Sequence, residues 1–235
     1  SDQAASLVDP LSGASLRHSG DLGEAIGRLV GEFFEAEDPG GGEAGRELPE
    51  SAAIAFEPAG EQTLKGKGID VAGLRKVPGK TFRWKGYYGY DLNQAHTLET
   101  HLNVFSAFNP EVPAAYREAP FVFLANIDPE LQMKVLDQVK KPRLVACDTM
   151  NFWIEGKPDA LKELLRRVDL FVINEGEARE LSKQASLVTA AKVIMGYGPR
   201  VLIIKRGEYG ALMFTASSMF AAPAYPLEEI FDPTG

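Results

Sequence analysis

Hydrophobic positions change their rhythm twice along the chain. In the first 62 residues only one stretch has helical spacing. Leu22, Ile26, Leu29, Val30, Phe33 and Phe34 fall on one face, interrupted by Gly23, Gly27 and Gly31. Each of those glycines costs a helix roughly 1 kcal/mol relative to alanine. The surrounding segment is rich in Gly, Ala, Glu and Pro, and no β-strand pattern occurs before Ala52. Residues 1–62 therefore read as one amphipathic helix within poorly specified chain. From Leu64 the signals sharpen. Thr81–Tyr87 alternates apolar and polar residues, as a half-exposed strand does, and Leu98–Phe105 reads as its partner. The turn-rich link Tyr90-Asp91-Leu92-Asn93 lies between them, which predicts a small antiparallel unit over about residues 80–106.

Residues 121–217 follow a different pattern. Strands are predicted at Phe121–Ile127, Arg143–Cys147, Leu170–Ile173 and Val201–Lys205, and helices at Pro129–Lys140, Pro158–Val168, from Gly176, and at Leu187–Met195. Asp128 before Pro129 is a good helix cap. Nearly continuous apolar strands alternating with helices imply an α/β fold, with a mostly parallel sheet flanked by helices. Tyr209–Thr215 reads as an antiparallel return strand after Gly207. The division is a divergent segment 1–62 and an α/β domain 63–235.

Composition narrows the function classes. The chain has 235 residues, is 45% hydrophobic and 25% charged, and carries a formal net charge of −8. That acidity argues against binding to a nucleic-acid backbone. No apolar run reaches the ~18–20 residues of a membrane span, and no basic-then-apolar start marks a secretory signal. Cys147 is the only cysteine, so neither an internal disulfide nor a zinc cluster is predicted, and a reducing cytoplasm is the simplest setting.

Ligands of open parallel sheets sit beyond the carboxyl ends of the strands. Asp128 follows the first strand there. Asp148 and Asn151 follow the second, Asn174, Glu175 and Glu177 the third, and Lys205 and Gly207 the fourth. Hard oxygen donors, one amine and a glycine suit a Mg²⁺-bound phosphate. Each also has a plainer reading: Asp128 and Asn174 as helix caps, Asp148 as a turn cap with Thr149, Lys205 and Arg206 as a solvated pair. Asp232-Pro233-Thr234-Gly235 closes the chain as a turn that would open an anion-facing helix.

These segments resemble the PfkB, or ribokinase-like, carbohydrate kinase family. Asn174-Glu175-Gly176-Glu177 is similar to its Asn-x-x-Glu motif, Val201–Gly210 to the strand-turn-strand beside the nucleotide, and Asp148 with Asn151 to its Asp-x-x-Asn. Asp232-Pro233-Thr234-Gly235 resembles the start of the signature Asp-x-Thr-Gly-Ala-Gly-Asp, and the unit at 80–106 is placed like part of its β-lid. The resemblance implies ATP-dependent phosphoryl transfer to a hydroxyl of a small sugar or nucleoside. ATP and Mg²⁺ are the cofactors, and the family pattern allows a monovalent cation and a homodimer formed through the lid.

It also implies roles. Glu177 holds Mg²⁺ through water; Asn174, Lys205 and Gly207 face the nucleotide; Asp232, Thr234 and Gly235 shape the phosphate loop and anion hole. Asp148, Asn151, Arg83 and Asn103 meet the substrate, and the base is an Asp expected after Gly235. Two departures stand out. Residues 1–62 show neither the family's opening strand nor its Gly-Gly motif in the right context, since Gly40-Gly41-Gly42 follows Asp-Pro and no lid strand, as a shifted frame or a divergent start would produce, and Ala-Gly-Asp does not follow within the sequence. The expectation for these 235 residues is an inactive, marginally stable fragment, with a non-catalytic nucleotide- or sugar-binding module as the alternative. A structural protein would lack nucleotide affinity, and a dehydrogenase would need a Gly-x-Gly-x-x-Gly after a strand, which is not found.

Overall fold

The computed structural model describes residues 58–88 and 95–226. The predicted helix around Leu22–Phe34, the link at residues 90–93 and the closing Asp232, Thr234 and Gly235 lie outside the described residues. The first described element is helix α1 (Pro58–Gly66), which straddles the boundary expected at residue 62. Glu61 bonds Lys65 one turn on at 2.7 Å and Lys76 at 2.5 Å, tying the helix to the segment that leads into the hairpin.

The hairpin pairs β1 (Arg83–Tyr88) with β2 (Ala95–His101) antiparallel, with an irregularity between Lys85 and Gly86. The second strand begins earlier than the predicted Leu98 and stops at His101 rather than Phe105. The physical reason is Asn103, which adopts φ 48°, a left-handed conformation that asparagine tolerates. Its side-chain Nδ2 donates to the Thr81 carbonyl at 2.6 Å, and the chain turns into a 3₁₀ segment, Asn103–Ala107. Phe82 and Phe105 then meet edge to face, ring centroids 5.8 Å apart.

The main sheet has six strands in the order β3 (Phe121–Leu124), β4 (Leu144–Cys147), β5 (Leu170–Asn174), β6 (Val201–Lys205), β7 (Ala211–Thr215) and β8 (Met219–Ala222). The first four are parallel, and β7 and β8 return antiparallel. Helix α2 (Pro129–Leu136) links β3 to β4, and α3 (Asn151–Gly156) with α4 (Pro158–Leu165) links β4 to β5. Helices α5 (Glu175–Ser182) and α6 (Leu187–Met195) link β5 to β6. Helix α3 and strand β8 were not foreseen, and α2 ends four residues before the predicted Lys140.

Register puts Val145, Cys147, Phe171, Ile173, Leu202, Ile204 and Phe214 on one face of the sheet, and all are buried. They form the core with Leu161, Leu164 and Leu165 of α4 and Ala191 and Ile194 of α6. On the opposite face Ala146, Val172, Ile203 and Met213 are only half-buried. The strands end where the candidate polar residues begin, so the buried face stops at the carboxyl rim. Beyond β6, Gly210 takes φ 87°; a Cβ there would sit 2.0 Å from the Ala222 carbonyl oxygen, so only glycine lets the two return strands close this tightly.

Candidate functional site at the carboxyl rim of the sheet

Three neighbouring strands deliver polar residues to one rim. Asp148 is the first residue past β4, Asn174 is the last of β5, and Lys205 is the last of β6; Asn174 and Lys205 face each other in the ladder. Lys205 Nζ stands 3.7 Å from Asp148 Oδ2, with half of the lysine side chain in solvent and the carboxylate buried. Asp148 Oδ1 also accepts a hydrogen bond from the Thr149 N–H at 2.8 Å, the turn cap considered for it from the sequence.

Asn174 and Glu177 form a reciprocal cap. Asn174 Oδ1 accepts from the Glu177 N–H at 2.8 Å, and Glu177 Oε2 accepts from the Asn174 N–H at 3.0 Å. The capping reading and the site reading of Asn174 thus coincide: the same bonds that start α5 hold a carboxylate at the rim. Glu177 is 7% exposed. Burial pushes its pKa up to about 7, and the Asp148 carboxylate adds repulsion, against the pull of the Asn174 N–H and the more distant Lys205. Burial likewise raises Asp148, although Lys205 pulls it the other way.

Two buried carboxylates that feel each other, with one amine nearby, are short of positive charge. The donor set is all oxygen and amide, with no soft ligand. It fits a hard divalent cation such as Mg²⁺, which would supply the missing charge, with Glu177 and Asp148 oxygens or their bound waters as its ligands. Its chemistry would be neutralisation of phosphate oxygens. Lys205 is placed to meet an anion on the solvent side.

The remaining expected residues divide. Gly207, with φ 54°, opens the 3₁₀ turn Gly207–Tyr209 directly after the rim. Arg206 lies over the Tyr209 ring of that turn, 5.6 Å from its centroid, and bonds Glu175 at 2.8 Å, which holds the Glu175 carboxyl below its ordinary range. Asp128 is the N-cap of α2, accepting from the Glu130 N–H, and bonds Lys157 at 2.7 Å. Asn151 is exposed at the start of α3. Arg83 and Asn103 belong to the hairpin: Arg83 pairs with His101 in the ladder and Asn103 secures the Thr81 carbonyl. Among the described residues, no hydrogen bond or ion pair joins either one to the rim. Trp84 donates from Nε1 to Thr97 Oγ1 at 3.0 Å, which is a packing role within the hairpin.

Sequence reasoning missed Gln132 and Thr149. Both are buried beside Asp148, and each keeps one side-chain oxygen without a hydrogen-bond partner among the described residues. No periodic signal marked Gln132: the apolar spacing of Leu131, Val135 and Val139 put it on the polar side, and the fold places it inward with Pro129 and Leu136.

Parallel strands with this polar rim and an antiparallel return define a ribokinase-like α/β protein. Residues 60–235 match the pfkB family carbohydrate kinase pattern, and the chain belongs to that family. A cytidine kinase of Thermococcus kodakarensis is 30% identical over 213 residues, covering 84% of this chain and 75% of that protein. The nucleoside kinase of Methanocaldococcus jannaschii, an archaeal member of the ribokinase family, superposes with a TM-score of 0.57 at 20% identity, covering 74% of this chain and 57% of that one. An E. coli protein provisionally named ribokinase II, solved with ATP and Mg²⁺, gives a TM-score of 0.58 at 19% identity, covering 73% and 59%. The chain thus spans about three fifths of the length of these two solved structures. Among the described residues, no helix is long and apolar enough to cross a membrane.

Proposed function

We propose that this chain carries the metal–nucleotide half of an ATP-dependent kinase that phosphorylates a hydroxyl of a sugar or nucleoside. The observation that carries the reading is the rim itself, where Asp148, Asn174, Glu177 and Lys205 converge from three adjacent strand ends. Glu177 and Asp148 bind Mg²⁺, through water or directly, and so orient and neutralise the phosphates. Lys205 meets a phosphate oxygen. The Gly207 turn lets the backbone approach the nucleotide. Asp232, Thr234 and Gly235 are assigned to the phosphate loop on the resemblance alone. A nucleoside acceptor is favoured over a simple sugar by the 30% identity to a protein named as a cytidine kinase. Asn151, Arg83 and Asn103 remain assigned to the acceptor side by resemblance; Asp148, which the resemblance also gave to the substrate, is reassigned to the metal because its buried carboxylate stands 3.7 Å from Lys205.

Calorimetric titration with ATP, with and without Mg²⁺, tests the reading. Affinity that requires Mg²⁺ and falls about tenfold or more in Lys205→Ala is expected, in line with the loss of a charge-assisted contact. Heat signals indifferent to both Mg²⁺ and Lys205 would contradict it.

A further inference from the structure

Strand β4 keeps its ladders up to its last residue, Cys147, and no further. Its pairing with β5 covers only Ala146 with Leu170 and Cys147 with Phe171, and its pairing with β3 ends at Leu124 opposite Cys147. Asp148 is therefore one residue past both ladders. On that side of the strand a single side chain takes over from the ladder. Gln132, on the inward face of α2 and 1% exposed, has Nε2 within reach of three carbonyls that share its two hydrogens: Leu124 at 3.0 Å, Ala125 at 2.9 Å and Asp148 at 3.1 Å. The Asp148 N–H donates to the Leu124 carbonyl at 3.0 Å. Both backbone polar groups of Asp148 are thus fixed, and the C=O is fixed by Gln132.

We propose that Gln132 is a positioning residue: it staples the ends of β3 and β4 together and thereby aims the Asp148 carboxylate at Lys205 across the rim. The inference rests on the proposed metal–nucleotide role of Asp148. A purely apolar side chain would fill the same volume, but it would leave the buried Asp148 carbonyl without this donor. The amide also carries a cost, because Gln132 Oε1 has no partner among the described residues. Helix α2 is itself anchored, through its Asp128 cap and the Lys157 bridge to Asp128 and Glu130. The staple therefore transmits the position of a fixed helix to the strand end. Outer partners of this kind govern metal affinity through the ligand they hold rather than by contact.

Four forms of the full chain test this: wild type, Gln132→Met, Asp148→Asn and the double variant. Each is titrated with Mg·ATP and melted alone. Methionine keeps the length and volume of the side chain and removes its donors. Gln132→Met is expected to weaken Mg·ATP about 10-fold in the wild-type background and by less than about twofold in the Asp148→Asn background, because its effect passes through Asp148. A purely structural glutamine would lower the melting temperature equally in both backgrounds and leave Mg·ATP affinity either intact or reduced by the same factor in each; either result overturns the proposal. If Gln132→Met does not fold, Gln132→Glu, which matches the amide in shape and has fewer donors, is read by the same cycle. Wild-type-like affinity in Asp148→Asn would instead refute the assignment of Asp148 to the site, a failure distinguishable from that of Gln132.

Discussion

The hairpin and the six-stranded sheet are built on opposite terms. Among the described side chains of β1 and β2 none belongs to the buried core, and Leu98 is 57% exposed. The hairpin is held by its ladder, by the Asn103 bond to the Thr81 carbonyl and by the Phe82–Phe105 edge contact. A two-stranded ribbon with so little burial is marginal on its own. The sheet instead buries one whole face, from Val145 through Phe214, under α4 and α6. The polar rim grows from that rigid part. Rigid elements carry the charged groups, whose relative positions must be held, whereas the hairpin is anchored by few contacts.

The largest expected contrast is in stability. Phe171→Ala removes a fully buried ring from β5, within the sheet core, and should cost about 3–5 kcal/mol by denaturant unfolding. A loss under about 1 kcal/mol would mean that the sheet core is not the stabilising unit described.

The next effect lies at the rim. Burial raises Glu177 from 4.5 to about 7. Ionising it therefore costs the folded state more than the unfolded one. Its protonated form supports the fold fully below about pH 4.5, and that support is lost as pH rises through about 7. Relative to Glu177→Gln, the Mg²⁺-free protein should lose about 3 kcal/mol of stability between those pH values. Parallel stability–pH curves for the two proteins would show that Glu177 ionises without penalty. The smallest effect belongs to the hairpin: Leu98→Ala should change stability by no more than about 0.5 kcal/mol, and a cost rivalling Phe171→Ala would erase the contrast.

The sequence exposed the same contrast unevenly. In the parallel half, apolar strands bounded by Gly, Pro and Asp read clearly; β6 and α6 fall on the predicted residues, because burial on the sheet leaves little choice of residue type. The rim was legible for a related reason. Asp148, Asn174 and Lys205 each interrupt an apolar strand at its carboxyl end. What stayed hidden depends on contacts distant in sequence. Asn103 ends β2 by reaching 22 residues back to Thr81. Strand β8 exists because Gly210 lets β7 and the following chain close, and Met219-Phe220-Ala221-Ala222 has no alternation to announce it. Gln132 looked like the polar side of α2 because helical periodicity favoured Leu131 and Val135; only the fold shows that the strand ends need a donor there.

The most direct test of the central claim, that the rim holds a metal-bound nucleotide, is paramagnetic broadening of backbone NMR signals by Mn²⁺ substituted for Mg²⁺ in the presence of ATP. The account predicts that signals of Asp148, Asn174, Glu177 and Lys205 broaden first, and those of Phe121 and Leu170, at the amino ends of β3 and β5, least. Broadening centred elsewhere, such as the groove of about 470 Å³ between Gly73 and Arg117, with the rim signals left sharp, would contradict it.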